Sequence, residues 1–435
     1  MKSVGFITIG CKLNQFETEQ MREAIEAEGF RSSDARGRAD VYVINTCTVT
    51  SKSDYRSRQA IRRAIRLNPE ATIIVTGCYA QLAPEEVARI QGVDAIVGNS
   101  NKDRIVTYVA LGKQARPIID VEEPGRQTRL SSSRQIVGFG SYTRAFVKIQ
   151  DGCDNRCTYC AVPLARGKSR SKPWDQVCNE VAILVERGYK EIVLTGVHLG
   201  SYGKDLADKV SLAWLLKQLS KVEGLERIRL SSVEPTDFSR ELIDTISDPA
   251  YRICPHVHVP LQSGDGRILR LMGRTYSPRL YRNLIESIAS SIPRCGIGAD
   301  VMVGFPGEDD RAFANTLSLI SDLPVTYLHV FAFSPRPNTV ASTMNEQVPV
   351  EVKKERSRKL RELGKHKSLT FRQSLKGTNL EVLVLSEELN GCRVALSGNY
   401  VKVYLRQSLE PNEIRQVTVL EPYLDGVLGT EVSKR

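Results

Sequence analysis

Three cysteines fall within eight positions in CDNRCTYC, residues 153 to 160, at spacings of four and then three. Thiolates set this closely on one loop hold metal. A structural zinc ion takes four closed ligands, usually from two separated C-x-x-C pairs. Three thiolates on an iron–sulfur cubane would leave one iron without a protein ligand and free to bind another molecule. At this point two readings stand: a zinc knuckle missing its fourth ligand, with His256 and His258 distant in sequence, and a cubane with an open iron.

Three further cysteines share a different pattern. Cys11, Cys47 and Cys78 each follow a short β-rich run, SVGFITIG, DVYVINT and ATIIVTG, and helical runs such as ETEQMREAIEAEG and SRQAIRRAIRL lie between them. This rhythm predicts a doubly wound parallel sheet covered by helices over residues 1–115, with the three thiols at its carboxyl edge, where such sheets bind ligands. Helix amino termini at that edge depress thiol pKa. Asn14 with Glu17 three positions on reads as a capping box, and Pro84 suits a first helical turn. A lone cysteine is commonly a small buried hydrophobe; three at equivalent strand ends point to a metal site. Cys178, Cys254, Cys295 and Cys392 have no matching partners and read as core or surface residues.

The elements that must carry CDNRCTYC come next. From about 140 to 335, six strand-like runs (RAFVKIQ, EIVLTGV, RIRLSSV, HVHVPL, GIGADVMVGF, TYLHVFAF) alternate with five helical ones. An α/β chain of this kind predicts a partial (β/α)6 barrel with its working residues on the loops after the strands, and CDNRCTYC follows the first strand. Residues 116–139, rich in Gly, Ser and Arg, separate the two units as a linker, giving a central domain over 140–367. Residues 368–435 alternate apolar and polar at period two and predict a small antiparallel β-barrel.

The chain has 435 residues and a formal net charge of +11. Residues 349–367 hold eight Lys/Arg against three Glu, and residues 52–66 hold six against one Asp. Each run reads equally as a solvated helix face or a polyanion surface. No stretch approaches the roughly 18 apolar residues of a membrane span, and the first residues read as a strand rather than a signal peptide. The expected compartment is the cytoplasm, with no membrane, where ten cysteines serve metal or catalysis before disulfides.

The spacing C-x-x-x-C-x-x-C, with Tyr159 before its last cysteine, resembles the signature of radical S-adenosylmethionine enzymes. In that superfamily three thiolates hold a [4Fe-4S] cluster whose fourth iron chelates S-adenosylmethionine, and one electron then yields a radical able to abstract hydrogen from an unactivated carbon. Thr195, Gly196, Ser231, Glu234, Gln262, Ser263 and Asp300, at or near ends of the following strands, are the candidate cofactor contacts, each weighed against an ordinary loop hydrogen bond. His198 and His329 read as packing or loop residues. GCKLNQFETE, NTC, TGC, GCDNRCTYCAVPLARGKSRS and LSGNYVKVYL together are similar to the methylthiotransferase family over essentially the whole chain. The resemblance implies an N-terminal domain with a second [4Fe-4S] cluster on Cys11, Cys47 and Cys78, a radical domain with its cluster on Cys153, Cys157 and Cys160, and a C-terminal TRAM barrel. It also implies two uses of S-adenosylmethionine, as methyl donor and as radical source, with the chemistry carried by the clusters rather than by catalytic side chains.

GCKLNQFE looks like the branch that methylthiolates C2 of N6-threonylcarbamoyladenosine at tRNA position 37. Branches acting on N6-isopentenyladenosine or on a ribosomal-protein aspartate carry other residues after the first cysteine. The implied partners are a tRNA anticodon stem-loop, an electron donor such as flavodoxin or ferredoxin, and a sulfur source. Arg166, Lys168, Arg170 and Lys172 follow the radical loop and are the expected phosphate contacts, against the alternative that they offset nearby carboxylates. A rival of another class is a non-catalytic, zinc-containing RNA-binding protein.

Overall fold

The computed structural model describes residues 2–124, 130, 136, 138–140 and 142–432. The centre of the expected linker, residues 125–129 and 131–135, lies outside the described residues. Six parallel strands form the N-terminal sheet, in the order Arg31–Ser33, Ser3–Thr8, Val41–Thr46, Thr72–Gly77, Ala95–Val97, Ile118–Asp120. Three of the six span only three residues each, too short to show a period in sequence. Ile118–Asp120, inside the stretch read as linker, thus completes the sheet. Val41–Thr46 and Thr72–Gly77 are buried along their whole length because helices cover both faces. Val41 and Val43 pack toward Met21 and Ile25, while Tyr42 and Ile44 pack toward Ile61 and Ala64.

The helix Lys12–Ala27 starts on Cys11, so Asn14 and Glu17 lie inside it and the expected capping box does not form. Asn14 instead donates to the carbonyls of Ile9 (2.7 Å) and Thr46 (2.9 Å), tying the ends of two strands together. Pro84 opens its short helix as expected.

Six parallel strands also build the central unit. Ala145–Lys148, Glu191–Thr195 and Arg227–Leu230 pair on one side, and His256–His258, Gly296–Val303 and Tyr327–Ala332 on the other. Parallel bridges Ile228 to Ile253 and Ser232 to His258 join the halves into the partial barrel. The five expected helices are present, with Ser211, Ser239, Ser277 and Asp309 each capping one. Core side chains such as Val193 and Ile228 are fully buried, each stabilising the fold by about 1.5–3 kcal/mol.

The C-terminal strands close into a five-stranded barrel. Four of its pairings are antiparallel, and the fifth, between Lys402–Leu405 and Gly426–Glu431, is parallel, a departure from the all-antiparallel expectation. The basic helix Val350–Ser374 runs unbroken across the 367/368 boundary. Much of its charge is paired: buried Arg356 binds Glu308 (2.7 Å) and Asp310 (2.8 Å), and Arg358 binds Glu355 and Glu362. Arg372 donates to the carbonyls of Leu424 and Gly426, fastening helix to barrel.

A buried ion network locks the first two units together. Glu17 accepts from Arg166 (2.7 Å), Lys148 (3.1 Å) and Lys102, and Arg166 also reaches Asp151 at 3.1 Å and Asn14 at 2.9 Å. Burial works to raise the Glu17 carboxyl, but the three cations hold it well below the usual range. Asp151 is likewise lowered to about 2, its burial outweighed by Arg166 and Lys148. Arg336 and Asp54 form a second buried pair across the junction. Removing Arg166 leaves two carboxylates short of a partner, so Arg166→Ala lowers stability by about 3 kcal/mol, read as a shifted urea midpoint. Glu191 is also lowered to about 2, its burial outweighed by Arg229 and Arg227. Because these folded pKa values lie below the unfolded ones of roughly 4, the stability from Asp151 and Glu191 is full above about pH 4 and is lost as pH falls toward 2. Urea midpoints measured across that window should fall, and less steeply in Arg166→Ala.

Candidate active site

All six motif cysteines stand at the carboxyl edges of the two parallel units, and these edges face each other. Cys11 begins the first helix, Cys47 follows Val41–Thr46, and Cys78 starts the turn after Thr72–Gly77. Gly77 has φ +94°, and a Cβ there would lie 2.3 Å from the Thr46 carbonyl oxygen, so only glycine lets the chain turn and present Cys78. Gly152, at φ +72°, plays the same part before Cys153, where a Cβ would strike the Lys168 carbonyl at 2.0 Å.

Each sulfur has a distinct surrounding. Burial first, then the neighbouring cysteines, pushes the Cys47 thiol up to about 11, and burial pushes Cys160 up to about 12. Burial also raises Cys157, against the pull of Arg274, whose Nη1 donates to its Sγ at 3.2 Å. Arg274 is itself held by Glu234. Cys153 Sγ lies 3.8 Å from His198 Nδ1, and His198 Nε2 lies 2.6 Å from Asp237. Burial disfavours the charged imidazole, but Asp237 and Cys153 outweigh it and raise His198 to about 9, so the ring is an imidazolium near neutral pH.

Two cavities lie between the facing edges. The larger, about 920 Å³, is lined by Cys11 and Cys47 on one side and by Thr195, Gly196 and Ser231 on the other. The smaller, about 190 Å³, is lined by Cys78 of the N-terminal unit together with Tyr159 and Cys160 of the radical loop. Val49, Thr50, Asp300 and Phe331 to Ser334 wall both. The donor sets fit iron–sulfur clusters: each is three thiols. Among the described residues neither set draws its sulfurs within 4.8 Å of one another, wider than the roughly 4 Å that bonds of about 2.3 Å to one zinc ion would impose. The opposite wall fits a bound polar molecule, since Ser231 Oγ is buried without a hydrogen-bond partner and Gly196 leaves a notch beside Gln150 Oε1 that a Cβ would enter at 2.9 Å.

Comparison with known proteins agrees with this arrangement. Residues 3–98 match the family described as Uncharacterized protein family UPF0004, and residues 147–320 match the Radical SAM superfamily. The threonylcarbamoyladenosine tRNA methylthiotransferase MtaB of Bacillus subtilis is 38% identical, over 98% of this chain and 96% of its own. The enzyme of the same name from Aquifex aeolicus is 39% identical over 92% of this chain and 96% of its own. The tRNA-2-methylthio-N(6)-dimethylallyladenosine synthase of Moorella thermoacetica is 35% identical over 88% of this chain and 87% of its own. The chain belongs to the radical S-adenosylmethionine methylthiotransferase family. Among solved structures, the radical S-adenosylmethionine methyltransferase TsrM of Kitasatospora setae, at 15% identity, shares its fold with a TM-score of 0.57 over 82% of this chain and 85% of that one.

Several expected contacts of this methylthiotransferase lie elsewhere than the sequence placed them. Arg166, Arg170 and Lys172 are buried: Arg166 joins the Glu17 network, Arg170 donates to the Arg166 carbonyl, and Lys172 pairs with Glu180. Their charges are turned into the protein rather than toward solvent, and of the four only Lys168 is exposed. Ser263 is fully buried, its hydroxyl accepting from the Asp265 N–H and lying against Thr316, outside both cavities. Glu234 acts through Arg274 rather than lining the chamber. Gln262 and Asp300 do line the smaller cavity.

Sequence reasoning missed other residues. His329 is not a packing histidine but donates to Asp300 at 3.2 Å, and His258 does so at 2.9 Å. Tyr327 bonds both His258 (3.1 Å) and His256 (2.8 Å), extending this polar wall. Tyr400 comes from the C-terminal barrel, at φ +68°, and stacks on His256 at 4.4 Å at the chamber floor. The place of His198 just after the second strand was a signal; Tyr400 lay inside LSGNYVKVYL without a role assigned to it, and lone Arg274 carried none. Replacing Cys11, Cys47 and Cys78 together by Ala should lower iron from about eight to about four per chain and keep S-adenosylmethionine cleavage. The same change at Cys153, Cys157 and Cys160 should abolish that cleavage, read by product chromatography.

Proposed function

We propose that this methylthiotransferase acts on tRNA and places a methylthio group at C2 of N6-threonylcarbamoyladenosine at position 37. One observation carries the reading: members of both thiol triads, Cys11, Cys47 and Cys78 of one and Cys160 of the other, line two adjoining cavities between the domains, as a reaction needing two clusters on one substrate atom requires. When bound, the clusters and S-adenosylmethionine supply the one-electron step, the sulfur and the methyl group, which acid–base side chains do not provide. Arg274 and His198 place positive charge on Cys157 and Cys153, Tyr159 stacks edge-on against Phe305 to shape the smaller cavity, and Val49, Met302 and Phe333 keep its wall apolar. Enclosure of this kind shields a reactive carbon from water. The relatives named for threonylcarbamoyladenosine, at 38–39% identity over 92–98% of the chain, favour that adenosine over the dimethylallyl one. Electrons come from a donor such as flavodoxin or ferredoxin, sulfur from a separate source, and the site of action is the cytoplasm; no described helix is long and apolar enough to cross a membrane.

The phosphate surface is the helix Ser51–Leu67. Lys52, Arg56, Arg63 and Arg66 recur at helical spacing along one exposed face, without ion pairs among the described residues, and Lys52 and Arg56 line the mouth of the large cavity. Lys168 joins them. Unpaired cations leading from a cavity mouth suit an RNA backbone, which positions without specifying sequence.

Two measurements test this. Mass spectrometry of tRNA nucleosides from a deletion strain should show loss of the 2-methylthio form of N6-threonylcarbamoyladenosine; loss instead of the isopentenyl nucleoside, or of a thiomethylated ribosomal aspartate, would reassign the substrate. Arg63→Glu with Arg66→Glu should weaken binding of any tRNA and flatten its log–log salt dependence by about 1 per contact removed, with S-adenosylmethionine cleavage in the absence of tRNA unchanged.

A further inference from the structure

Near the Lys12 wall of the large cavity lies a buried cluster with more cations than carboxylates. Fully buried Glu191 is shared by Arg227 and Arg229, each at 2.8 Å, and by Arg144 at 3.7 Å. Arg144 Nη1 and Arg227 Nε are buried with no hydrogen-bond partner. Lys12, beside Cys11, adds a fourth cation. It lines the cavity, it is close enough to Arg144, Arg229 and Glu191 to feel their charges, and among the described residues no ion pair or hydrogen bond engages its ammonium. The acid on the cavity wall, Asp300, is already committed to His258 and His329.

Lys12 is half-buried, and a partly desolvated cation on a cavity wall with no counter-ion among the described residues suits an incoming anion. RNA phosphates meet the exposed helix at the mouth, whereas Lys12 lies on the inner wall beside a cluster cysteine. A base that enters to present C2 to the thiol-held irons carries its N6 substituent with it. A threonylcarbamoyl group ends in a carboxylate and a dimethylallyl group in methyls. We propose that Lys12 is the specificity-determining residue of this enzyme, its ammonium receiving the carboxylate of the N6-threonylcarbamoyl group at the wall of the large cavity. This rests on the substrate reading above. A site built for a charged partner rejects an analogue without one, because the partly desolvated cation is then left unpaired.

The test uses the reconstituted full-length enzyme and anticodon stem-loop RNAs bearing, at position 37, N6-threonylcarbamoyladenosine, its neutral methyl ester, or unmodified adenosine, with binding read by fluorescence anisotropy. The wild type should bind the free acid roughly ten- to a hundredfold more tightly than the ester. Lys12→Met and Lys12→Gln should bind acid and ester alike, at the ester's level, while Lys12→Arg keeps the preference. Iron content and absorption spectra are recorded for each, so that a lost cluster is not mistaken for lost recognition. An acid preference that survives in Lys12→Met or Lys12→Gln overturns the inference and leaves the substrate reading standing. Equal binding of modified and unmodified stem-loops by the wild type overturns both.

Discussion

Glu17 sits between Arg166, Lys102 and Lys148, inside the junction of two parallel α/β units. Ions buried in this way add little net stability over a well-packed apolar contact, because desolvation offsets most of their attraction. Their value is directional. An apolar junction could slide, but a carboxylate shared by three cations from three elements tolerates one register. Asn14, one helical turn before Glu17, binds Arg166 and also ties together the strand ends that precede Cys11 and Cys47. The geometry of the first thiol triad and the docking of the second domain are therefore set by the same few side chains.

From that register the chamber follows. The carboxyl edge of a parallel sheet is where loops and helix amino termini gather, and ligands bind there. Two such edges pressed face to face make a ligand site with a wall from each. Cys78 and Cys160 come to line one small cavity, while Cys11 and Cys47 line the larger one beside it. The far end of the barrel would remain open without the C-terminal domain. Arg229 donates to the carbonyls of Ser397 (3.0 Å) and Gly398 (2.9 Å), and Tyr400 closes the floor against His256. The small barrel is thus structural to the chamber as well as a separate module.

The β/α rhythm and the cysteine spacing were legible because they are local: a period of two or 3.6, three thiols in eight positions. The short strand Ile118–Asp120 was not, since three residues show no period and its pairing partner lies 23 positions back, Ile118 against Ala95. The run Arg166, Lys168, Arg170, Lys172 looked like one basic surface. The helix ending at Arg166, the turn at Gly167 and the short strand Arg170–Ser171 bury three of its members among Glu17, Asp151 and Glu180 and leave Lys168 in solvent. Neither carboxylates nor cations announce in sequence which opposite charge they will meet.

By itself the sequence determined the three units, the two sets of thiols and the class of chemistry, because ligand type and strand-end placement are properties of residues and their near neighbours. Only the tertiary structure decided which charges are spent on holding domains together and which face the cavity. Lys12 and Arg166 are both cations close in sequence to motif cysteines, yet one lines the large cavity and the other is held by Glu17. That difference is made by groups up to 149 positions away, brought within hydrogen-bond range by packing of the two sheets, and no pattern short of the folded chain contains it.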